Sequence, residues 1–457
     1  MFSHTASHLR FLHRYMTSRR IKLFHKALHL SSTPSPSTLE LQVASNISLE
    51  NSQVPFAQNP EEPEFWRETP LFRDTSSAEL LSWQWNIGNI VDRKQRLFEI
   101  IAAVVPEKIP RAADIGGMQT RDEFAGDVNS GIRKSTMSVR LTPYVLSRIN
   151  WADPANCPVS RQFIPLGSVI VENHPMTKLD SLYEQADSPV DAVVHRYPDK
   201  ALFLLKDSFK LKRTRLEEGL AYIESQAGLK DIVVSGGDAF YLPHHILEWI
   251  GDRLIGMKNI ERFRIATKGL AVAPNRFLDN SDPWVDALIR VSEKARRAGK
   301  HMALHTHFNH PNEISWITEK ASRKLSQAGM TVRNQSVLLR GVNDNVATMS
   351  SLINKLASMM IQPYYVYQCD MVPQVEHMRT PLQTSLDLES QLRGSIAGFY
   401  MPNFVVDLPG GGGKRLACSY ESYNRETGES TFRAPALTGK NKEGRIYKYY
   451  DPVKPSS

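Results

Sequence analysis

The sequence predicts an α/β fold, a parallel sheet of six strand–helix units curled into a partial, TIM-like barrel, preceded by a mostly helical region. Three observations carry this. From Ala201 onward short β-rich apolar runs alternate with helical patterns: 201–205, 232–235, 262–267, 302–307, 332–338 and 362–367, with 404–407 as an extra run. The runs are short and β-rich, as buried parallel strands are. The segments between them carry helix start and stop signals, so successive strands must run parallel through helical crossovers. Six such units are accommodated by an incomplete barrel, whose site lies at the C-terminal ends of its strands.

The chain of 457 residues begins with a tail unlike the rest. Residues 1–39 contain no acid but carry Arg10, Arg14, Arg19, Arg20, Lys22 and Lys26. Removing those six charges from the net +8 leaves +2, so the body is nearly neutral and gives no sign of a nucleic-acid partner. An acid-free basic stretch that interleaves Leu9, Phe11, Leu12, Ile21, Leu23, Phe24 and Leu28 reads as a mitochondrial transit peptide, hence a matrix location. The alternative is a basic arm for anionic surfaces. Residues 40–65 read as a linker, continuing the Ser- and Pro-rich stretch 31–37, and the fold is expected to begin near Trp66.

Residues 66–195 form the helical region, with patterns at Trp83–Arg96 and Pro143–Ile149, packing beside the barrel; the barrel occupies 196–415, and 416–457 is a C-terminal extension. Within the barrel, Thr214 and Glu217 read as a capping box for a helix ending before Gly228. Asp282-Pro283 reads as a cap and first-turn proline for Trp284–Ala298, with Gly299 as its stop. Val346, Met349, Leu352, Ile353, Leu356 and Met360 make one apolar helix stripe, ordinary core. No run approaches the ~20 apolar residues of a membrane helix. The three cysteines, Cys157, Cys369 and Cys418, are too scattered for a zinc ribbon or a disulfide scaffold.

Residues just past each strand carry the candidate chemistry. Ser235-Gly236-Gly237-Asp238 can bring backbone N–H groups close to a ligand, with Asp238 accepting from an amine or hydroxyl; a plain strand–helix turn is the competing reading. His305 and His307 alternate to one side of their strand, a spacing used by metal-dependent barrel hydrolases and equally by hydrogen-bonded lining histidines. Asp407-Leu408-Pro409 leads into Gly410–Gly413 and Lys414; Leu408 and Arg415 break the Walker pattern. Four glycines before one lysine suggest an amine on a mobile leash, suited to a Schiff-base lysine, against an exposed loop with an incidental lysine.

Together these segments resemble the lysine 2,3-aminomutase family of radical S-adenosylmethionine enzymes. The matching stretches are MSVRLTPYVLSRINW (137–151), DSPV with HRYPDK (187–200), DIVVSGGDA (231–239), HTHFNHPNE (305–313), NQSVLLRGVND (334–344), PYYVYQCD (363–370), EHMRTP (376–381) and FVVDLPGGGGK (404–414). The resemblance implies a six-unit partial barrel of the radical-adenosylmethionine type. It implies that Lys414 holds pyridoxal 5′-phosphate and Arg196 its phosphate. Gly236, Gly237, Asp238, His307 and Gln335 would line the S-adenosylmethionine pocket. Asp370 and Asp407 would hold the ε-ammonium of L-lysine or a lysine-containing substrate. In such enzymes a reduced 4Fe–4S cluster generates a deoxyadenosyl radical and the α-amino group migrates to the β-carbon. The implied partners are that small-molecule substrate and an electron donor, with neither nucleic acid nor membrane, and a homo-oligomer is compatible with the fold.

The chain departs from the family at one place. The CxxxCxxC cluster loop expected after the first barrel strand is absent: the sequence runs from Asp207 through Ser208 and Phe209 to Lys210. The arginine that follows the third cysteine in the family, and grips the substrate carboxylate, is missing with it. Lys210, Lys212, Arg213 and Arg215 crowd a helix start, where the dipole prefers acids. The expectation is therefore an aminomutase gene product whose chain as written, through a lost exon or splice error, cannot perform the radical step. A non-catalytic ligand-binding paralogue and the metal-dependent hydrolase are the competing readings.

Overall fold

The computed structural model of the chain describes residues 63–135, 138–205, 213–236, 238–439 and 442–453. The expected transit peptide, nearly all of the linker, the Asp207–Lys210 junction and Gly237 lie outside the described residues.

Short helices build the N-terminal region, and local sequence sets their ends. Ser76 and Glu79 form a capping box for Ser77–Leu81, and Thr120 and Glu123 form another for Arg121–Lys134. Leu97, Ile100, Ile101 and Val104 recur at helical spacing and are buried on one face of Lys94–Val104. The expected Trp83–Arg96 helix is divided: one helix is Trp83–Gly88, and the chain then extends so that Val91 bridges Leu141 before Lys94 starts the next. Gly88 and Asn89 break the helix, and a tertiary partner claims Val91. Pro143–Ser147 is helical, two residues shorter than its pattern. Between these helices β1 (Lys108–Pro110) pairs antiparallel with β2 (Met118–Thr120).

This region is fastened to the barrel by specific polar contacts. The Trp83 N–H donates to Asp279 at 2.6 Å, and the Tyr144 hydroxyl donates to the Glu313 carbonyl at 2.8 Å. Arg276, held by Asp282, sits 4.6 Å from the Trp83 ring centre and 5.0 Å from that of Trp284, so one cation joins both regions.

The main sheet has nine strands hydrogen-bonded in chain order. They are β3 (Val193–Val194), β4 (Lys200–Leu204), β5 (Asp231–Ser235), β6 (Arg262–Ala266), β7 (His301–Thr306), β8 (Thr331–Val337), β9 (Ile361–Tyr367), β10 (Asn403–Leu408) and β11 (Gly413–Leu416). Strands β4 to β10 are parallel neighbours, which makes the extra run at 404–407 a seventh member. Antiparallel β3 and β11 flank them. The sheet curls, and residues of β4 and of β10 line one lumen. Ile232, Val234, Phe263, Leu304 and Phe404 are fully or almost fully buried, each contributing about 2 kcal/mol of burial. A separate sheet, β12 (Ser422–Tyr423), β13 (Glu429–Arg433) and β14 (Ile446–Tyr450), forms the C-terminal part.

Several caps follow their signals and several do not. Trp284–Arg297 ends with the Lys300 N–H on the Ala295 carbonyl and the Gly299 N–H on that of Arg296, Gly299 taking φ +71°. Asp282 accepts from the Trp284 N–H at 2.9 Å, although Pro283, expected inside the first turn, itself occupies the N-cap position. Thr214 is no N-cap, because the helix Arg213–Ser225 already includes Arg213 ahead of it. Arg213 and Arg215 are paired with Glu217 at 2.9 Å and Asp191 at 2.5 Å, which offsets their position near the helix start. Met360 leaves its stripe: the helix Val346–Ser358 has ended, and Met360 takes φ +59° with its side chain half exposed. Among the described residues no helix is long and apolar enough to cross a membrane.

Candidate active site

The β10–β11 hairpin generates the centre of the site. Antiparallel register sets Lys414 directly opposite Asp407, and the Lys414 Nζ lies 2.6 Å from Asp407 Oδ2. The four intervening glycines are packed rather than open. Gly410, Gly411 and Gly413 adopt φ of +78°, +83° and +76°, where side chains are strained. At Gly412 a Cβ would fall 2.5 Å from the Tyr447 ring and 2.8 Å from Leu408, and the Gly410 N–H donates to the Ser181 carbonyl at 2.8 Å. The glycine run therefore serves a tight, covered turn, in place of the mobile leash its composition suggests. Gly412→Ala is expected to cost about 1–3 kcal/mol through overpacking, read by denaturant unfolding; an unchanged midpoint would refute the packed turn.

Hairpin and sheet enclose a cavity of about 190 Å³. Its wall includes Lys414, Asp407, Arg196, Tyr197, Gln335 and Tyr367. Arg196 is 6 % exposed and held at its rear: Nε donates to Asp187 at 2.8 Å and Nη2 donates to the Leu182 carbonyl. Its Nη1 turns toward Asp407 Oδ1 at 3.9 Å. The Tyr197 hydroxyl accepts from the Lys414 backbone N–H at 3.0 Å, fixing the lysine's main chain. The Lys414 ammonium also stands 5.6 Å from the Tyr367 ring centre.

Electrostatics follow from these distances. Burial works against the Lys414 ammonium, yet the adjacent Asp407 carboxylate, with Tyr197 and Tyr367, raises its pKa well above the ordinary lysine value. Burial would likewise raise Asp407, but the Lys414 and Arg196 cations outweigh it and hold that carboxyl below its ordinary value. Asp407 Oδ1 is buried and accepts no hydrogen bond, with the Arg196 guanidinium 3.9 Å away as its nearest cation.

The other residues singled out in the sequence are distributed differently. Gln335 lines the cavity and its Nε2 donates to His305 Nδ1 at 3.1 Å. His307 Nε2 pairs with the Asn309 amide oxygen at 3.1 Å, and burial holds both histidines well below the ordinary pKa. The two histidines thus engage amides, and among the described residues no three His, Cys, Asp or Glu side chains are arranged to hold a metal ion. Gly236 adopts φ +81°, where side chains are strained, and a Cβ there would also fall 3.1 Å from the Leu204 backbone. Asp238 spends its oxygens on the backbone, accepting from Phe240 at 2.9 Å and Lys268 at 3.2 Å. Gly236, Asp238 and His307 are not on this cavity's wall. Nor is Asp370, which is buried in the loop after β9. Sequence reasoning passed over Tyr197 and Asp187 as site residues, although both stand inside the quoted motifs HRYPDK and DSPV.

The residues present suit one implied cofactor and not another. For pyridoxal phosphate the cavity offers an amine, a buried guanidinium and a carboxylate between them. For an iron–sulfur cluster it offers no thiol: Cys157 and Cys369 are buried elsewhere, burial pushes the Cys369 thiol up to about 12, and Cys418 is exposed beyond β11.

The fold is a curled, mostly parallel α/β barrel whose lumen pairs a lysine ammonium with a carboxylate beside a buried arginine. Three relatives narrow that class. The chain is 34% identical over 408 residues to L-lysine 2,3-aminomutase of Clostridium subterminale, covering 85% of this chain and 88% of that one. It is 32% identical to the L-lysine 2,3-aminomutase of Acetoanaerobium sticklandii, over 75% and 80% of the two chains. Glutamate 2,3-aminomutase of Clostridioides difficile is 27% identical, over 73% and 75%. No family model matches the chain. The chain belongs to the lysine 2,3-aminomutase family.

Proposed function

We propose that this chain is a pyridoxal-phosphate-binding aminomutase scaffold for lysine or a lysine-containing substrate, and that its radical step requires a CxxxCxxC segment this sequence does not carry. The observation that carries the first half is the Lys414–Asp407 pair facing Arg196 across one cavity. Pyridoxal phosphate, when bound, supplies an electron-withdrawing ring to the substrate nitrogen. Lys414 meets the cofactor carbonyl once its ammonium gives up a proton, and Asp407 controls that loss. Arg196 presents Nη1 as a planar donor for the phosphate. Asp407, released from Lys414, offers both oxygens to a substrate ammonium, which favours lysine over a substrate with a neutral or acidic end.

No step is assigned to an iron–sulfur cluster in this chain, because no thiol reaches the site. Gly236, Gly237, Asp238, His307 and Gln335 remain the proposed adenosylmethionine residues and Asp370 a proposed substrate residue, on the strength of the family motifs alone. The proposed location is the mitochondrial matrix, supported by the acid-free basic tail.

Sequencing the mature transcript across the codons for Asp207 to Lys210 tests the second half, with an inserted CxxxCxxC segment as the expected result; a continuous transcript overturns the lost-exon account and favours a non-catalytic paralogue. For the chain as written, reconstitution with iron and sulfide is expected to yield no cluster absorbance and no β-lysine while pyridoxal phosphate is taken up. Cluster absorbance or product formation would sink this reading.

A further inference from the structure

The arginine that faces the cavity is not oriented by the barrel alone. Its carboxylate partner, Asp187, is buried at 4 % side-chain exposure and uses both oxygens on cations: Oδ2 accepts from Arg196 Nε, and Oδ1 pairs with Lys442 Nζ. Lys442 lies 255 residues further along the chain, in the C-terminal extension, with a quarter of its side chain exposed. The same extension grips the main chain of the site. The Thr438 N–H donates to the Arg196 carbonyl at 2.8 Å, and the Thr438 hydroxyl donates to the His195 carbonyl at 2.7 Å. Leu437 and Pro435 close over Gly413, and Tyr447 closes over Gly412.

The result is an alternating row of charges, Lys442, Asp187, Arg196, Asp407 and Lys414, running from the extension to the reactive amine. Three cations against two carboxylates leave one positive charge in surplus. Of the other carboxyls on the wall, Asp231 is engaged by Arg264 at 2.7 Å and Asp199 by Arg262 at 3.7 Å. Glu184 and Lys200 complete the charged wall with one charge of each sign, so the surplus stands. A low-dielectric cavity with surplus positive charge and one guanidinium edge turned inward fits an anion such as a phosphate monoester.

We propose that Lys442 and Asp187 are positioning residues for the phosphate half of the bound cofactor: Lys442 fixes Asp187, and Asp187 holds the Arg196 guanidinium with its Nη1 edge toward the cavity. The C-terminal extension thereby completes the site. This rests on the functional reading above, and it acts on the phosphate and not on the amine chemistry of Lys414.

Comparing two ligands isolates that distinction. The full-length protein is titrated with pyridoxal 5′-phosphate and, separately, with pyridoxal, which has the same aldehyde and no phosphate, following the absorbance of each. Asp187→Asn and Lys442→Ala are expected to weaken pyridoxal phosphate binding by about tenfold, the scale of one lost charge-assisted hydrogen bond, and to leave pyridoxal within about twofold. Lys442→Arg is expected to restore the phosphate preference. Equal loss for both ligands would mark a merely structural pair and overturn the proposal, as would no loss for either. A wild-type protein that binds neither ligand overturns the functional reading and this inference together, so the two failures are told apart.

Discussion

Lys414→Ala is expected to abolish the lysine-bound pyridoxal phosphate absorbance, whereas Lys268→Ala retains it. Borohydride trapping is expected to place the label on the Lys414 peptide alone. The contrast follows from placement: Lys414 opens on the cavity beside Asp407, while Lys268 Nζ is occupied by the His307 carbonyl at 2.9 Å and Glu313 at 3.4 Å. The pH dependence has a definite sign. Because Asp407 raises the Lys414 pKa, the neutral amine becomes available only as pH rises, so uptake accelerates toward alkaline pH. Asp407→Asn removes the carboxylate while burial continues to disfavour the ammonium, and its uptake profile is expected to move to lower pH. A profile that stays in place, or label on another lysine, would falsify the assignment of the amine.

The largest stability effect is expected at Glu376. Its two oxygens accept from Arg379 Nη1 at 3.0 and 2.9 Å, and both side chains are fully buried. Arg379 Nη2 also donates to the Tyr450 carbonyl, and Glu376 Oε1 accepts from the Val453 N–H at 2.9 Å, so the pair ties the loop after β9 to the C-terminal strand β14. Glu376→Ala strands a buried guanidinium and is expected to cost about 3–5 kcal/mol in denaturant unfolding. Joint replacement of Glu376 and Arg379 by methionine is expected to recover most of that loss, since the desolvation of both charges disappears with them. A double variant as unstable as Glu376→Ala would show that the hydrogen bonds to the extension, rather than the stranded charge, set the cost.

Much of the barrel was legible because its signals are local. Short β-rich runs bounded by turn and helix signals mark buried parallel strands, and each expected run matches its observed strand within a residue at either end, from Lys200–Leu204 to Ile361–Tyr367. Helix ends were legible where a side chain or a glycine acts on its own neighbours, as at Asp282 and Gly299. The readings that failed are those where a distant partner decides. Val91 leaves its helix to bridge Leu141, and the glycine run before Lys414 looks loose until Tyr447 and Leu437 are seen covering it.

The sequence by itself determined the order of the parallel strands, the family, and the motif that carries Asp407 and Lys414 on either side of a glycine run. Each of these rests on neighbours along the chain or on motif order. Only the tertiary structure decided which charged groups share the cavity. Arg196 faces Asp407, Asp187 restrains Arg196, and Lys442 reaches Asp187, while Asp370 stays off the wall. Such pairings join residues up to 255 positions apart. Composition cannot specify them, because a buried ion pair depends on which side chains desolvation forces together once the sheet has curled.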